Sequence, residues 1–388
     1  MYNTKNILCK KWNYWLLFFY VIVCPAIAHT QIHTSNPAKN KIDSIVHRYA
    51  ASYLADTIKA GVSIGVYYKG ETYGYHYGTV EKGKTILPSD QTLYEIASLT
   101  KTFTGLLLAK AIEENKMNLQ DDIRKHLPGE YPNLEFKDKF ISLREIALHQ
   151  SGLPRDIPYD AKLWEKPYFN VLPYQLINLE KNYNKAKYLE ALHAIKLDTM
   201  PGSSGFNYSN FAVKVLSFAL ENVYGMSYEI LLEKYIFKPT GIKNSAIVLS
   251  ESQKKLRAKG YNHNGKQMPN GLDNAGAAGG LKSTLPDMLK YLGYNMNRKD
   301  KIISIAHRPI SIWTDAGNTD AAALFWQMRK KSNGGWRIFQ SGGTFGFSST
   351  IVLFPDADIG FVLLANDAGF NSQSQLGEIA DNIYTAIK

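Results

Sequence analysis

Cysteine is nearly missing from this sequence, and both copies lie near the N-terminus. The 388 residues contain two cysteines, Cys9 and Cys24. If the first 28 residues are removed, the rest of the chain has none, which excludes disulfides, thiolate metal sites and a cysteine nucleophile. The histidines form no H-E-x-x-H pattern and no pair at metal-ligand spacing, so we predict neither a metal nor another cofactor.

Long apolar runs and clustered positive charge are also missing. The apolar run at residues 14–23 is too short to span about 30 Å of hydrocarbon. The net charge is +11, but it includes no run of five basic residues, which argues against nucleic acid as a partner. Hydrophobic residues make up 45% of the chain, enough for a sizeable core, and this excludes a disordered protein.

The first 28 residues have the pattern of a secretory signal peptide. Its features are three lysines, an apolar run and two small residues at the cleavage positions: Lys5, Lys10, Lys11, 14–23, Ala26 and Ala28. We therefore expect an exported protein, periplasmic or secreted, that is cleaved near Ala28. A lipoprotein anchored through Cys24 is less favoured, because Val23 stands where such signals have a small residue.

Strand patterns lie near both ends of the chain, and helix patterns lie between them. Strands are predicted at 61–68, 72–79, 323–329, 336–341, 346–354 and 359–365. Helices are predicted at 40–56, 99–115, 119–126, 142–150, 208–223, 227–236, 283–296 and 374–387. Residues 155–199 show only a weak pattern, and 253–280 form a polar loop rich in glycine and asparagine.

This order predicts one domain over residues 29–388 with two lobes. Hairpin and meander signals imply antiparallel strand pairing. An α/β (α+β) lobe would be built from about 41–97 and 275–388, with an inserted all-helical lobe at about 98–274. A cleft between lobes is the default place for a functional site.

A serine and a lysine at helical spacing open the long helix predicted at 99–115. In Ser98-Leu99-Thr100-Lys101 the first and last residues share one helix face. A buried lysine with a lowered pKa can accept the serine proton, and the helix N-terminus favours negative charge near Ser98. By itself, the motif is weak, because a helix-capping serine followed by a surface lysine occurs by chance in many proteins.

Two further motifs supply groups that such a serine would need. Tyr208-Ser209-Asn210 begins a helix, and its tyrosine can act as a base if a cation lowers its pKa. Gln340-Ser341-Gly342-Gly343 lies on a strand whose glycines allow a substrate to approach the backbone closely. A backbone N–H of that strand could form half of an oxyanion hole.

A third pattern around a serine, Gly61-Val62-Ser63-Ile64-Gly65, is interpreted as a decoy. It matches the G-x-S-x-G nucleophile elbow, which requires a sharp turn between a strand and a helix. Here the motif lies inside a strand that leads into a hairpin.

In combination and in this order, the three motifs resemble those of the serine β-lactamase and penicillin-binding protein family, specifically the class C β-lactamase and DD-peptidase branch. The nucleophile motif is similar to residues 95–101, the second to 208–210 and the third to 340–342. Supporting similarities lie at 148–154, 237–242 and 278–284, and the resemblance extends over about residues 41–387. It implies a β-lactamase/transpeptidase-like fold, which agrees with the two-lobe prediction.

The resemblance also implies a role for each motif residue. Ser98 would be the acylated nucleophile, with Lys101 and Tyr208 as its proton acceptors. Asn210, Gln340, Ser341 and Gly342 would bind substrate, and the backbone N–H groups of Ser98 and Gly343 would form the oxyanion hole. The expected partner is a small molecule or peptide with a carbonyl that acylates the serine, with peptidoglycan as a candidate. The oligomeric state is not readable.

Gln340 departs from the family pattern, which has lysine or histidine at this position. That cation helps to recognise the substrate carboxylate, and a neutral amide makes weaker hydrogen bonds. The leading expectation is an exported serine hydrolase acting on D-amino-acid peptides of peptidoglycan. The alternatives are a class C-type β-lactamase, an esterase or D-amino-acid amidase of the same fold, and a non-catalytic binding module.

Overall fold

A computed structural model of the chain describes residues 32–164, 171–203, 205–271 and 273–388. The predicted signal peptide, its cleavage position and Cys24 lie outside the described residues. Among the described helices, none is both long enough and apolar enough to cross a membrane.

The strands lie mainly in the first and last parts of the described chain. They are β1 Gly61–Tyr68, β2 Glu71–Gly78, β3 Tyr94–Glu95, β4 Glu135–Phe136, β5 Lys139–Phe140, β6 Tyr261–Asn262, β7 Lys282–Ser283, β8 Ser311–Asp315, β9 Asn318–Ala322, β10 Gln327–Lys330, β11 Trp336–Gly343, β12 Ser348–Phe354, β13 Ile359–Ala365 and β14 Asp367–Ala368.

The helices fill the middle of the sequence and flank the sheet. They are α1 Lys41–Leu54, α2 Thr100–Glu113, α3 Leu143–Ala147, α4 Ala161–Trp164, α5 Leu172–Glu180, α6 Lys185–Ala194, α7 Asn210–Tyr224, α8 Tyr228–Leu232, α9 Lys238–Thr240, α10 Glu251–Lys255, α11 Leu285–Met296, α12 Lys301–Ala306 and α13 Ser372–Ile387.

One antiparallel sheet of eight strands organises the fold, in the order β2-β1-β13-β12-β11-β10-β9-β8. The N-terminal hairpin β1-β2 joins the C-terminal strands through β1 and β13, in a register that opposes Ile64 to Leu363. Both strands are largely buried because helices cover both faces of the sheet. The α/β fold with an antiparallel sheet flanked by helices, predicted from the sequence, is confirmed.

Two apolar cores lie on opposite faces of this sheet. One lies under α1 and α13 and includes Val46, Val62, Phe361 and Ile383. The larger core joins the other face to α2, α7 and α11. Gly65 faces that side, where a Cβ would come within 2.7 Å of the Leu289 side chain, so only glycine lets α11 lie this close to β1.

Several boundaries differ from the sequence predictions for local reasons. The helix predicted at 119–126 is only a short 3-10 turn, Ile123–His126, because Asp122 has an extended backbone (ψ of 121°) and caps the turn by accepting a hydrogen bond from Arg124 N. The strand predicted at 323–329 begins at Gln327 instead, because Phe325 has a positive φ of 59°.

Other elements were not anticipated. The hairpin β8-β9 turns at Ala316 and Gly317, both with positive φ, and its largely exposed first strand has no alternating pattern to detect. Helices α4, α5, α6, α9, α10 and α12 were also missed. The region predicted as all-helical contains three two-residue strands, and one of them, β6, pairs in parallel with β14. The residue limits of the two predicted lobes remain a prediction.

Candidate active site

Ser98 lies where a short strand ends and the helical region begins. The chain leaves β3, passes through the 3-10 turn Ala97–Leu99 and enters α2 at Thr100. Ala97 has a φ of 48°, a left-handed conformation that alanine rarely adopts and that the surrounding packing must hold in place. Ser98 lines a cavity of about 400 Å³, so the strained turn presents its hydroxyl at the wall of that cavity.

Ser98, Lys101, Tyr208 and Asn210 form one hydrogen-bonded group. Ser98 Oγ lies 2.7 Å from Tyr208 Oη and 3.1 Å from Lys101 Nζ, which donates to it. Lys101 Nζ also donates to Asn210 Oδ1 at 2.7 Å and to the carbonyl of Ala278. The contact between Ser98 and Lys101 is the one that their spacing along a helix predicted.

Burial favours the neutral amine of Lys101, the form that can accept a proton. Its side chain is fully buried, and the loss of hydration lowers its pKa, an effect opposed by the nearby Tyr208. The ammonium lies 4.7 Å from the centre of the Tyr208 ring, so the two candidate bases also contact each other directly. A hydroxyl between two such groups can be deprotonated without a metal or cofactor.

The second motif is positioned by the first turn of α7. Ser209 caps this helix by accepting a hydrogen bond from Ala212 N, which leaves Tyr208 just outside the helix and Asn210 at its start. His149 Nδ1 in turn accepts a hydrogen bond from Ser209 N at 3.2 Å. Burial, aided by the Lys101 charge, lowers the pKa of His149 to about 3, so the imidazole is neutral and serves as an acceptor.

The glycines of the third motif allow β11 to approach the Ser98 turn. A Cβ at Gly342 would lie 2.4 Å from Ile96 O and 2.8 Å from Ser98 N, so no other residue fits there. Gly343 follows at the strand end and lines the same cavity as Ser98. The oxyanion hole assigned to the N–H groups of Ser98 and Gly343 remains a prediction, consistent with this placement.

The side chains of Gln340 and Ser341 are engaged elsewhere. Gln340 Nε2 donates to Phe325 O at 2.7 Å, and its Oε1 accepts from Gln327 Nε2 and from Ser341 N. Ser341 Oγ bonds to Thr350 Oγ1 at 3.1 Å. Within the described residues, neither side chain hydrogen-bonds to Ser98, Lys101 or Tyr208. Their substrate-binding roles, like that of Gly342, therefore remain predictions.

Charged residues that the sequence analysis did not identify also line the cavity. Asp156 Oδ1 accepts from Asn210 Nδ2 at 2.8 Å, and Arg155 Nε lies 3.3 Å from Asp156 Oδ2. Farther along the wall are Glu180 and Lys214. Three of these residues, Arg155, Asp156 and Glu180, belong to the weakly patterned stretch 155–199. Arg155 and Asp156 directly follow the supporting similarity at 148–154, and this position could have indicated that they lie near the site.

Lys282, within the supporting similarity at 278–284, also lines the cavity, but it forms a local ion pair with Asp273. It lies on β7, is nearly fully buried, and donates to Ile247 O and to Asp273. No group of three or more His, Cys, Asp or Glu residues that could hold a metal occurs in the described part of the chain.

Ser63 lies in a different setting from Ser98. It occupies the middle of β1, fully buried, and its Oγ contacts His76 Nδ1 and Tyr94 Oη, each at 2.8 Å. His76 Nε2 lies 3.0 Å from Asp90 Oδ1, which completes a Ser-His-Asp sequence of contacts. Because Ser63 is fully buried inside a strand, the strand-turn-helix context of a nucleophile elbow is lacking here, which supports the interpretation of this G-x-S-x-G match as a decoy.

Comparison with known proteins places this geometry in a family. The family model described as Beta-lactamase matches residues 46–384. The D-alanyl-D-alanine-carboxypeptidase/endopeptidase AmpH of Escherichia coli K12 is 28% identical over 360 residues, covering 89% of each protein. Protein flp of Staphylococcus aureus MRSA252 is 27% identical over 345 residues, which cover 86% of this chain but 64% of that protein.

The chain thus spans somewhat less than two thirds of the length of Protein flp but most of the length of AmpH. The family match covers the sheet, the helical region and all three motifs. The resemblance inferred from the motifs is therefore confirmed: this chain belongs to the β-lactamase family.

Proposed function

We propose that this protein is exported and cleaves D-amino-acid peptides of peptidoglycan through an acyl-enzyme on Ser98. The observation that carries the proposal is the hydroxyl of Ser98, held between Tyr208 Oη and Lys101 Nζ at the wall of a cavity. The name of AmpH, a D-alanyl-D-alanine carboxypeptidase and endopeptidase, supports a peptide substrate.

The chemistry follows from those contacts. Tyr208 or Lys101 takes the Ser98 proton as Oγ attacks the scissile carbonyl, and the N–H groups of Ser98 and Gly343 stabilise the oxyanion. The leaving amine receives that proton, and an ester to Ser98 remains. Water then attacks the ester, with the same base accepting its proton, and releases the shortened peptide and free Ser98.

A second candidate, an esterase or D-amino-acid amidase, is favoured by Gln340. This residue is neutral, and its amide donates to Phe325 O, so it supplies no cation for a substrate carboxylate. A β-lactamase is the same chemistry with fast deacylation. Retention of the Ser98, Lys101, Tyr208 and Asn210 group argues against a non-catalytic binding module.

The test is to incubate the mature protein with benzylpenicillin and follow intact mass, with Ser98→Ala as the control. A long-lived adduct absent from the control supports a penicillin-binding peptidase, and release of D-alanine from a D-alanyl-D-alanine peptide would complete the support. Consumption of penicillin with little adduct supports a β-lactamase. Turnover of activated esters alone supports the esterase, and no adduct with penicillin or a panel of activated esters contradicts every enzymatic version.

A further inference from the structure

We propose that the guanidinium of Arg155 binds the C-terminal carboxylate of the substrate, in place of the cation that the resemblance assigns to position 340. The inference rests on the proposed peptidase function and specifies its substrate: a peptide with a free carboxylate next to the scissile bond. Four observations about the cavity carry it.

The first observation concerns three other cations near Ser98, Lys101 beside it and Lys214 and Lys282 on the cavity wall, all of which are buried and engaged. Lys101 donates to Ser98, Asn210 and Ala278, and Lys282 donates to Ile247 O and Asp273. Lys214 donates to Tyr188 Oη at 2.8 Å. None of these three ammonium groups is free to meet a substrate without breaking an existing contact.

Arg155 differs from them in exposure. Its side chain is 65% exposed, although the residue lines the same cavity as Ser98. Its ion pair with Asp156 engages Nε, and the structure shows no hydrogen bond from its two terminal nitrogens to any described residue. Those nitrogens form the planar fork that matches a carboxylate.

The backbone of Arg155 is held in place at the start of α7. Its carbonyl accepts hydrogen bonds from Asn210 N at 2.8 Å and Phe211 N at 3.2 Å. Asp156 is held in turn by Asn210 Nδ2. The guanidinium is therefore attached to the same helix end that positions Tyr208 and Asn210, and its main-chain anchor needs little reordering when substrate binds.

The guanidinium is also close to the reacting groups. Its carbon lies 5.6 Å from the centre of the Tyr208 ring, and the hydroxyl of that ring is 2.7 Å from Ser98 Oγ. In a C-terminal dipeptide, the free carboxylate lies about one residue, roughly 4 Å, beyond the scissile carbonyl. A fork beside Tyr208 can reach that distance, whereas Gln340 is directed at Phe325.

Binding is measured in Ser98→Ala protein, so that the result does not depend on turnover. The ligands are acetyl-Lys-D-Ala-D-Ala and the same peptide with a C-terminal carboxamide, titrated by calorimetry or NMR. We expect the free acid to bind about 10- to 100-fold more tightly than the carboxamide, because a charge-assisted pair is lost in the amide. Adding Arg155→Ala should remove this preference, and Arg155→Lys should retain part of it.

Arg48→Ala is the matched control, because it removes the same charge from an exposed position on α1, outside the cavity lining. It should leave the preference unchanged. The inference is overturned if the free acid has no advantage, or if its advantage survives in Arg155→Ala. A loss of binding for acid and carboxamide alike would indicate a structural effect and would also overturn it.

Failure of the proposed peptidase function can be distinguished from failure of the Arg155 assignment. If protein with an intact Ser98 binds the free acid through Arg155 but never releases D-alanine, the peptidase proposal is wrong and the assignment of Arg155 stands. If D-alanine is released equally well by wild type and Arg155→Ala, the peptidase proposal stands and the assignment of Arg155 is wrong.

Discussion

Two serines in this molecule contact a potential base, and they differ in what surrounds them. Ser98 lies in a strained turn at the wall of a cavity, between Tyr208 and Lys101. Ser63 lies inside β1 and contacts His76, which is itself paired with Asp90. As a series of contacts, the second resembles a hydrolytic triad more closely than the first does.

The two serines differ in how accessible the hydroxyl is to a substrate and in which groups polarise it. Ser63 is fully buried, so no carbonyl can reach its hydroxyl, which also contacts Tyr94 Oη. Ser98 faces open volume, with a helix N-terminus behind it and a lysine whose pKa is lowered by burial. A hydrogen-bonded base is therefore not enough for a nucleophile; a path for the substrate is also required.

The largest expected effect is that of replacing Ser98 by alanine, compared with the same replacement at Ser63. Ser98→Ala should lower kcat/KM for an activated ester or D-alanyl peptide by about 10⁴-fold or more, because the covalent step is lost. Ser63→Ala should stay within about twofold of wild type. Both are measured with the same substrates after circular dichroism has shown native spectra; substantial turnover by Ser98→Ala would reverse our comparison.

The next largest effect is expected for Lys101→Met, which should lower kcat/KM by about 10³-fold. The apolar side chain fits a fully buried position, so the fold should survive. Because burial lowers the pKa of Lys101, wild-type activity should rise with pH around a midpoint below that of an ordinary lysine. A midpoint at or above the ordinary value would show that Lys101 is not neutral when the enzyme acts. The readout is the pH profile of kcat/KM.

Tyr208→Phe should lower kcat/KM by about 10²-fold. The substitution removes the hydroxyl 2.7 Å from Ser98 but keeps the ring that packs against Lys101 and His149. In the double variant that also carries Lys101→Met, the fold loss in kcat/KM should be smaller than the product of the two single losses, since both groups act on one proton. A fully multiplicative loss would mean that they act in separate steps.

A smaller effect concerns pH and His149, the neutral histidine behind Tyr208. Its pKa is lowered to about 3 in the folded protein but is 6.5 in the unfolded chain, so the unfolded state binds a proton first as pH falls. The free energy of unfolding should therefore decrease between pH 7 and pH 5 by about 2 kcal/mol on this account.

His149→Asn, which keeps an acceptor for Ser209 N, should remove that contribution. The measurement is urea unfolding of both proteins at pH 7 and pH 5. His307, also buried with a pKa of about 3 but remote from the motifs, should contribute equally in both proteins and serves as the internal reference. An unchanged pH dependence in His149→Asn would contradict the assignment of a neutral imidazole.

The smallest effect is the loss of stability in Ser63→Ala. This substitution leaves two buried partners, His76 Nδ1 and Tyr94 Oη, without their hydrogen bond. We expect a decrease in the free energy of unfolding of about 1–3 kcal/mol in urea at pH 7. Stability equal to wild type would mean that other groups replace the Ser63 contacts.

The motifs and the strand-helix-strand order were readable in the sequence because they depend on local spacing. Ser98 and Lys101 are three residues apart on a helix, so their contact follows from helix geometry. The strand β13 is a continuous apolar run and β12 ends in one, so their burial follows from composition. The family assignment required only the identity and order of these motifs.

Other features were decided by contacts between distant parts of the chain. Tyr208 is 110 residues from Ser98, and only the packing of α2 against α7 brings their hydroxyls together. Gln340 could be recognised as a neutral residue in the sequence, but its orientation toward Phe325 depends on a positive φ at Phe325. The local pattern around Ser63 could mark it as a decoy, but not show its contacts with His76 and Tyr94.

The sequence by itself therefore determined the family and the identity of the residues in its three motifs, and it predicted serine chemistry, because these are properties of spacing and residue type. Only the tertiary structure decided which cation remains available to a substrate. Arg155, Lys101, Lys214 and Lys282 are all cationic side chains in the sequence, and burial and hydrogen-bond partners distinguish the exposed arginine from the three engaged lysines. Burial and pairing arise from long-range packing, which no local pattern encodes.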